Sequence, residues 1–374
     1  MLIGIDGNEA NTLKRLGVGE YAYELLTQFS NAKDLNKFLI YLKNEPLPSL
    51  PNSSNNLNYR VLKPGKFWTQ WRLPIDLYIH KPRPDVFFTP THYAPRFSSV
   101  PTVIAIMDLA YLYFPEMFKK TDLYKLKNWT SYAVNNAKSI IAISLSTKND
   151  IIKEYHIPEE RIIVVYPGIK PTVYQESQSC TMDILQSKYK ISKNFILFVG
   201  TLQPRKNIAR LIEAFAKIQP QEKMPHDLQL VIVGKKGWLY EDIIKKPIEL
   251  GIEEKVKFLD FVTDEELNIF YKEAICFVLP SLYEGFGLPV LEAMQHGCPV
   301  ITSNTSSLPE AGGGAVLYIN PEDIDDIAEK MNTLIKDKQL RQQLIEKGKK
   351  QILKFSWEKT SKETLKVLEK AAKR

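Results

Sequence analysis

Twelve short runs rich in β-branched residues, separated by longer amphipathic segments, constrain this chain more than any other feature. In the first half they are Leu2 to Ile5, Phe38 to Leu42, Val86 to Thr89, Thr102 to Ile106, Ser139 to Ile143 and Ile162 to Val165. In the second half they are Phe195 to Val199, Leu228 to Val233, Val256 to Phe258, Ile275 to Leu279, Val300 to Thr302 and Val316 to Ile319. This alternation predicts an α/β protein with parallel sheets covered by helices on both faces. A chain of 374 residues exceeds what one core usually organises, so each half is expected to form its own doubly wound sheet. Residues 167 to 194 are rich in Pro, Ser, Gln and Lys and weak in periodicity, which places the boundary near 175 to 190. The expected domains are 1–180 and 181–354, followed by a helix over 355–374, N-capped by Ser356 and returning to the first domain.

The rest of the composition narrows the function classes. A net charge of +7 favours anionic ligands or acidic lipid, but there is no arginine-rich block and no RNP-like motif, so nucleic acid is not an expected partner. The three cysteines Cys180, Cys276 and Cys298 have no CxxC spacing, which argues against a disulfide framework or structural zinc and fits a reducing cytoplasm. The five histidines form no HExxH or HxH group, so no resident metal is expected. No stretch approaches the roughly 18 apolar residues of a spanning helix, so contact with a membrane would be made from its surface. The run FKKTDLYKLKNW (118–129) interleaves basic and aromatic residues and suits either such a contact or an ordinary solvated helix face.

In open parallel sheets, ligands bind beyond the carboxyl ends of strands, so the loops that follow strands carry the functional expectation. The richest is SLYEGFGLPVLEAMQHG (281–297), where seven residues separate Glu284 from Glu292. Gly285 and Gly287 permit close backbone approach, and Pro289 suits the first turn of a new helix. The amides near Phe286 to Val290 then form an anion pocket at that helix's N-terminus. A glycosidase also needs two carboxylates, about 5 to 9.5 Å apart across one anomeric carbon. Eight residues of helix would set them roughly 12 Å apart, which favours contacts to different parts of one extended, phosphate-bearing ligand.

The Glu284 to Glu292 spacing matches the E-x7-E motif of retaining glycosyltransferases of family 4, which have the two-domain GT-B fold. GTLQPRKNIARLIEAF (200–215) is similar to that family's phosphate-binding segment. VGKKGWLYE (233–241) and FLDFVTDEEL (258–267) resemble its nucleoside-side loops, and SLPEAGGGA (307–315) its following loop. LGVGEYAYELL (16–26) resembles the glycine loop that faces the donor diphosphate from the first domain. The resemblance runs in order through nearly the whole chain.

The resemblance implies a central cleft, closed by domain motion, and a donor held mainly by the second domain. Glu284 would accept hydrogen bonds from the donor sugar, with the Gly285, Phe286, Gly287 and Leu288 backbone against sugar and phosphate. Glu292 would accept from the ribose, and Gly234, Val262 and Leu267 would line the nucleoside side. Arg205 and Lys206 would neutralise the departing diphosphate, the largest chemical demand of glycosyl transfer. Gly17 and Gly19 would close on the same phosphates. Basic residues would replace a metal, no cofactor is implied, and the leaving phosphate would help deprotonate the acceptor without a protein nucleophile. Mannose from GDP-mannose is the expected donor group, and a glycan or lipid-linked acceptor in envelope or exopolysaccharide synthesis the expected partner. The expected location is the cytoplasm, with contact to the inner face of the membrane.

Two departures bear on activity. Many relatives read His-Asp-Leu where this chain has Met107-Asp108-Leu109, and a thioether cannot relay a proton. Positioning would pass to Asp108 or a backbone group, and Met107 as a core residue stays open. Thr201 stands where some relatives have arginine, and Arg205 would supply that charge. A UDP-sugar donor, a GT-B phosphorylase or epimerase, and a non-catalytic nucleotide-sugar-binding homologue stay open as alternatives.

Overall fold

The computed structural model describes residues 1–15, 17–32, 35–170, 181–219 and 225–373. The chain divides into two compact units, Met1–Gly168 with Phe355–Arg374 and Ile169–Lys354. The crossing at Gly168 comes before the expected 180/181 boundary, and residues 171–180 of the expected linker lie outside the described residues.

The first unit holds a seven-stranded parallel sheet, built from β1 (Leu2–Asp6), β2 (Lys37–Leu42), β3 (Leu57–Val61), β4 (Val86–Thr89), β5 (Thr102–Ile106), β6 (Ser139–Ala142) and β7 (Ile162–Val164). Its order is β3-β2-β1-β4-β5-β6-β7, with Ile3 of β1 opposite Phe38 of β2 and Val86 of β4. Strands β4, β5 and β6 are buried on both faces, which is why they appear as unbroken apolar runs. Strand β3 (LNYRV) buries only Leu57 well, so its polar alternation hid it from the sequence reading. The expected C-terminal helix is Trp357–Ala372, and Ser356 Oγ caps it by accepting from Lys359 N at 3.2 Å. It packs in this unit against β4, β5, β6 and the Val18–Asn31 helix, with Trp357 edge-on to Tyr21 at 5.8 Å.

The second unit holds a six-stranded parallel sheet of β8 (Phe195–Val199), β9 (Gln229–Val233), β10 (Val256–Leu259), β11 (Cys276–Leu279), β12 (Val300–Ser303) and β13 (Val316–Ile319). Its order is β10-β9-β8-β11-β12-β13. The Ile208–Ile218 helix buries Leu211, Ile212, Phe215 and Ile218 on one stripe and packs against the Ile324–Lys336 helix. Both sheets reverse direction once, between β1 and β4 and between β8 and β11. Those two switch points are where open α/β sheets bind ligands. Among the described residues no helix is long and apolar enough to cross a membrane.

Candidate active site

The switch point of the second unit brings together the three charged residues singled out in the sequence. After β8 the chain makes one tight turn over Pro204–Lys206, and Asn207 in the left-handed region (φ 59°) redirects it into the Ile208–Ile218 helix. Arg205 and Lys206 therefore lie in the turn that precedes this helix. After β11, residues 280–287 lead into the Leu288–Gln295 helix, with Pro289 in its first turn. Gly287 sits at φ 102°, where a Cβ would also lie 2.8 Å from Leu308 Cδ2, so this bend needs glycine.

Glu284 is buried, 8% exposed, between the two cations. Lys206 Nζ lies 2.5 Å from Oε1 and Arg205 Nη1 lies 3.3 Å from Oε2. Ser281 Oγ donates to Oε1 at 2.6 Å. Burial alone would raise the carboxyl pKa, but Lys206, then Arg205, then the Ser281 hydroxyl overcome it and hold it at about 2. The carboxylate is thus charged at neutral pH and acts only as an acceptor. It also occupies the cations, so in this structure Arg205 and Lys206 serve Glu284 instead of standing ready for a diphosphate.

The backbone around Glu284 is pinned as firmly. Its N–H donates to Ser306 Oγ at 2.9 Å, and its C=O accepts from Ser307 Oγ at 2.9 Å. Arg205 Nη1 donates to Tyr283 O, and Leu282 N donates to Arg205 O at 2.9 Å. Asn207 Nδ2 donates to Pro280 O at 3.0 Å. Sequence reasoning missed Ser281, Ser306, Ser307 and Asn207, because serine and asparagine are common loop residues and no spacing distinguishes them.

The other donor-side expectations are distributed over the same sheet. Gly285, Phe286 and Gly287 are buried and Leu288 is half-buried beside Glu284. Glu292 is half-buried and accepts from Tyr271 Oη at 3.1 Å. Burial first, and the Glu292 charge second, push the Tyr271 phenol up, which keeps it a neutral donor. Gly234, after β9, lies against the turn after β8: a Cβ there would fall 2.0 Å from Gly200 O, so the two loops can meet only at glycine. Leu202 N to Lys235 O at 3.0 Å and Gly237 N to Leu202 O at 2.9 Å extend that pairing. Val262 and Leu267 stand beyond β10, the edge strand, two strands from β8. There Thr263 and Glu266 form a capping box, so this loop's polar groups fix a helix start.

The switch point of the first unit has a different character. Gly17 (φ 53°) precedes the Val18–Asn31 helix, Gly19 is buried where a Cβ would lie 2.9 Å from Glu9 O, and Leu16 lies outside the described residues. Asp6, at the end of β1, is buried; burial raises its pKa although Asn8 donates to it from N at 3.0 Å and Nδ2 at 2.6 Å. Asp108 Oδ1 accepts from Ala110 N at 3.0 Å. Met107 is half-buried, and its carbonyl accepts from Thr147 Oγ1 at 3.4 Å, so it is not a core side chain. Tyr111 packs in the core with its hydroxyl 2.7 Å from Tyr155 Oη, and Tyr113 donates to Asp150 at 2.8 Å.

His92, unassigned by the sequence, lies in the loop after β4, opposite β1 at the switch point. Its Nε2 is shut off from solvent and has no hydrogen-bond partner among the described residues. Burial lowers its pKa to about 4, with the Asp108 charge opposing, so the imidazole is neutral at physiological pH. No spacing marked His92, because a lone histidine in THYAP has no periodic or motif partner.

With two doubly wound parallel sheets and a buried, cation-paired carboxylate after β11, the chain has the construction of a GT-B glycosyltransferase. Residues 17–173 match the Glycosyltransferase Family 4 model and residues 183–351 the Glycosyl transferases group 1 model. The chain belongs to this family of glycosyltransferases. It is 28% identical to O-antigen chain mannosyltransferase B of Escherichia coli over 365 residues, covering 93% of this chain and 94% of that protein. Among solved structures it superimposes on sucrose-phosphate synthase from Thermosynechococcus elongatus with a TM-score of 0.74, at 18% identity over 99% of this chain and 98% of that one. It also superimposes on the Anabaena protein HepE in complex with UDP and glucose, with a TM-score of 0.74 at 20% identity over 98% of this chain and 99% of that one.

Proposed function

We propose that this glycosyltransferase moves mannose from GDP-mannose, with retention of configuration and without a metal ion, to a glycan or lipid-linked acceptor in envelope polysaccharide or exopolysaccharide synthesis. The reading places it in the cytoplasm, in contact with an acidic membrane surface. The observation that carries it is the buried Glu284 carboxylate held between Lys206 and Arg205 at the second unit's switch point. A donor entering there exchanges partners: its diphosphate takes the cations, and Glu284 is released to accept from sugar hydroxyls. The C1–O bond to the diphosphate breaks, the acceptor oxygen bonds to C1, and the acceptor proton passes to the leaving phosphate. Glu292 accepts from the ribose.

The mannosyl assignment is supported by the E. coli relative, which is named a mannosyltransferase and is similar along nearly its whole length. A UDP-sugar donor is the second reading, favoured by the likeness to HepE, whose solved complex holds UDP and glucose. Calorimetric titration of wild-type and Glu292→Ala protein with GDP-mannose and UDP-glucose, in a chelator, separates them. Tighter binding of GDP-mannose, weakened about tenfold in the variant, is the expected result. Tighter UDP-glucose binding overturns the donor, a metal requirement overturns the metal-free chemistry, and binding without transfer leaves a nucleotide-sugar-binding protein.

A further inference from the structure

We propose that the Phe67–Ile79 segment of the first unit is a docking surface for an anionic lipid bilayer. Five of the sixteen exposed large apolar side chains among the described residues fall within these thirteen positions: Phe67 (62% exposed), Trp71 (67%), Ile75 (46%), Tyr78 (49%) and Ile79 (75%). Four of them, Phe67, Trp71, Ile75 and Ile79, recur at intervals of four, with Tyr78 three positions after Ile75, along two consecutive helical stretches, Trp68–Arg72 and Leu73–Ile79. The opposite side is already used, because Trp68, Leu73 and Leu77 are buried in a core cluster with Tyr41, Leu62 and Phe87. A short surface helix that is apolar on both sides has one side too many for water.

The neighbourhood specifies the occupant. Between residues 62 and 84 the exposed charged side chains, Lys63, Lys66, Lys81 and Arg83, are all basic. Lys63 has Glu45 at 3.7 Å, both ends exposed, and Lys66 Nζ sits 5.5 Å over the Phe67 ring. The single acidic residue of the segment, Asp76, is buried and neutralised by Arg60 at 2.7 Å and Arg72 at 3.9 Å. The patch continues into the next loop, where Arg96 N donates to Thr69 O at 3.4 Å and Phe97 is 73% exposed. Tryptophan and tyrosine among aliphatic side chains, rimmed by lysine and arginine, is the composition that settles at a charged headgroup layer. A protein partner would have to tolerate that one-sided charge, whereas an anionic bilayer is complementary to it.

The run 118–129, whose sequence suits either a membrane contact or a solvated helix face, is less suited. Phe118, Leu123 and Leu126 pack against the core, which leaves Tyr124 as its exposed aromatic among Lys119, Lys120, Lys125 and Lys127. That helix supplies basic charge beside the patch, since Phe97 N donates to Tyr132 Oη at 2.9 Å, but not the apolar face.

The inference deepens the membrane contact of the proposed function and shares no residue with the donor site. Its test is flotation of the full chain with neutral phosphatidylcholine vesicles and with vesicles containing about 30% phosphatidylglycerol, at low and high salt. Wild type is expected to float with the anionic vesicles, and less so in high salt. The triple variant Trp71→Ser, Ile75→Ser, Ile79→Ser and the triple variant Lys63→Glu, Lys66→Glu, Lys81→Glu should each lose at least about tenfold in bound fraction, while nucleotide-sugar binding stays at the wild-type level. Three results overturn the proposal: wild type left unbound by anionic vesicles, both triple variants floating like wild type, or a Lys119→Glu, Lys120→Glu, Lys125→Glu variant losing more than either. Sedimentation equilibrium covers the remaining case, since a wild-type dimer that the Trp71 triple variant dissolves would assign the face to self-association and also overturn it.

Discussion

The two switch points of this molecule are built on the same topology and are finished differently. Beyond β8 and β11, the Glu284 carboxylate, its backbone and both facing cations are tied together by hydrogen bonds and ion pairs. Beyond β1 and β4, by contrast, His92 carries a buried nitrogen without a partner among the described residues and Asp6 keeps a raised pKa. The difference teaches what each is for. A satisfied buried network holds its geometry before the ligand arrives, whereas an unsatisfied buried donor or acceptor costs roughly 1 to 3 kcal/mol until something meets it.

The largest effect that separates the two sites should be on rate. Glu284→Ala and Lys206→Ala are each expected to lower kcat of sugar transfer by about a thousandfold. His92→Phe should lower it by about tenfold, with donor affinity unchanged by calorimetry. Equal losses at both sites would erase the distinction.

Stability comes next. Glu284→Gln leaves two half-buried cations facing a neutral amide and should cost about 3 kcal/mol in urea unfolding. His92→Phe removes an unsatisfied polar atom, so stability at neutral pH should hold or rise slightly.

Acid titration then divides the sites by window. The Glu284 pKa is depressed to about 2 from 4.5, so its contribution is complete above the ordinary carboxylate range and is lost as pH falls through about 2. The His92 pKa is also depressed, to about 4 from 6.5, so the unfolded chain takes up that proton first and stability begins to fall below about pH 6.5. Stability measured against pH should therefore show a smaller upper step in His92→Phe, where the depressed His296 still contributes, and a smaller lower step in Glu284→Gln, where Glu266 still contributes. A smaller stability loss comes beside Glu292, where Tyr271→Phe removes one hydrogen bond and should cost about 1 kcal/mol.

Most of the fold was legible because central parallel strands are buried on both faces and stand out as apolar runs. Strand β3 was not, since an edge strand with one well-buried residue looks like a loop. Within the site, Glu284, Arg205 and Lys206 were legible from the bend, the spacing and the family resemblance. Their mutual pairing was not, because Lys206 and Glu284 are 78 positions apart and only the adjacency of β8 and β11 brings them together. Physical reasoning had aimed both cations at a ligand and overlooked the carboxylate that needs them in its absence. The exposed apolar stripe was hidden for a related reason: FWTQWRLPIDLYI is apolar at nearly every turn, and the sequence alone does not say which side the core takes.

The connectivity of the units also sets an order of events during synthesis. The ribosome completes Ile169–Lys354, an uninterrupted stretch, before it makes Phe355–Arg374, which the first unit needs to cover β4, β5 and β6. The second unit therefore has all of its residues before the first does. The first, although its sheet is translated earlier, stays uncovered along that face until the Trp357–Ala372 helix is made, so a chain cut short before Phe355 holds every residue of the second unit and lacks a covering element of the first.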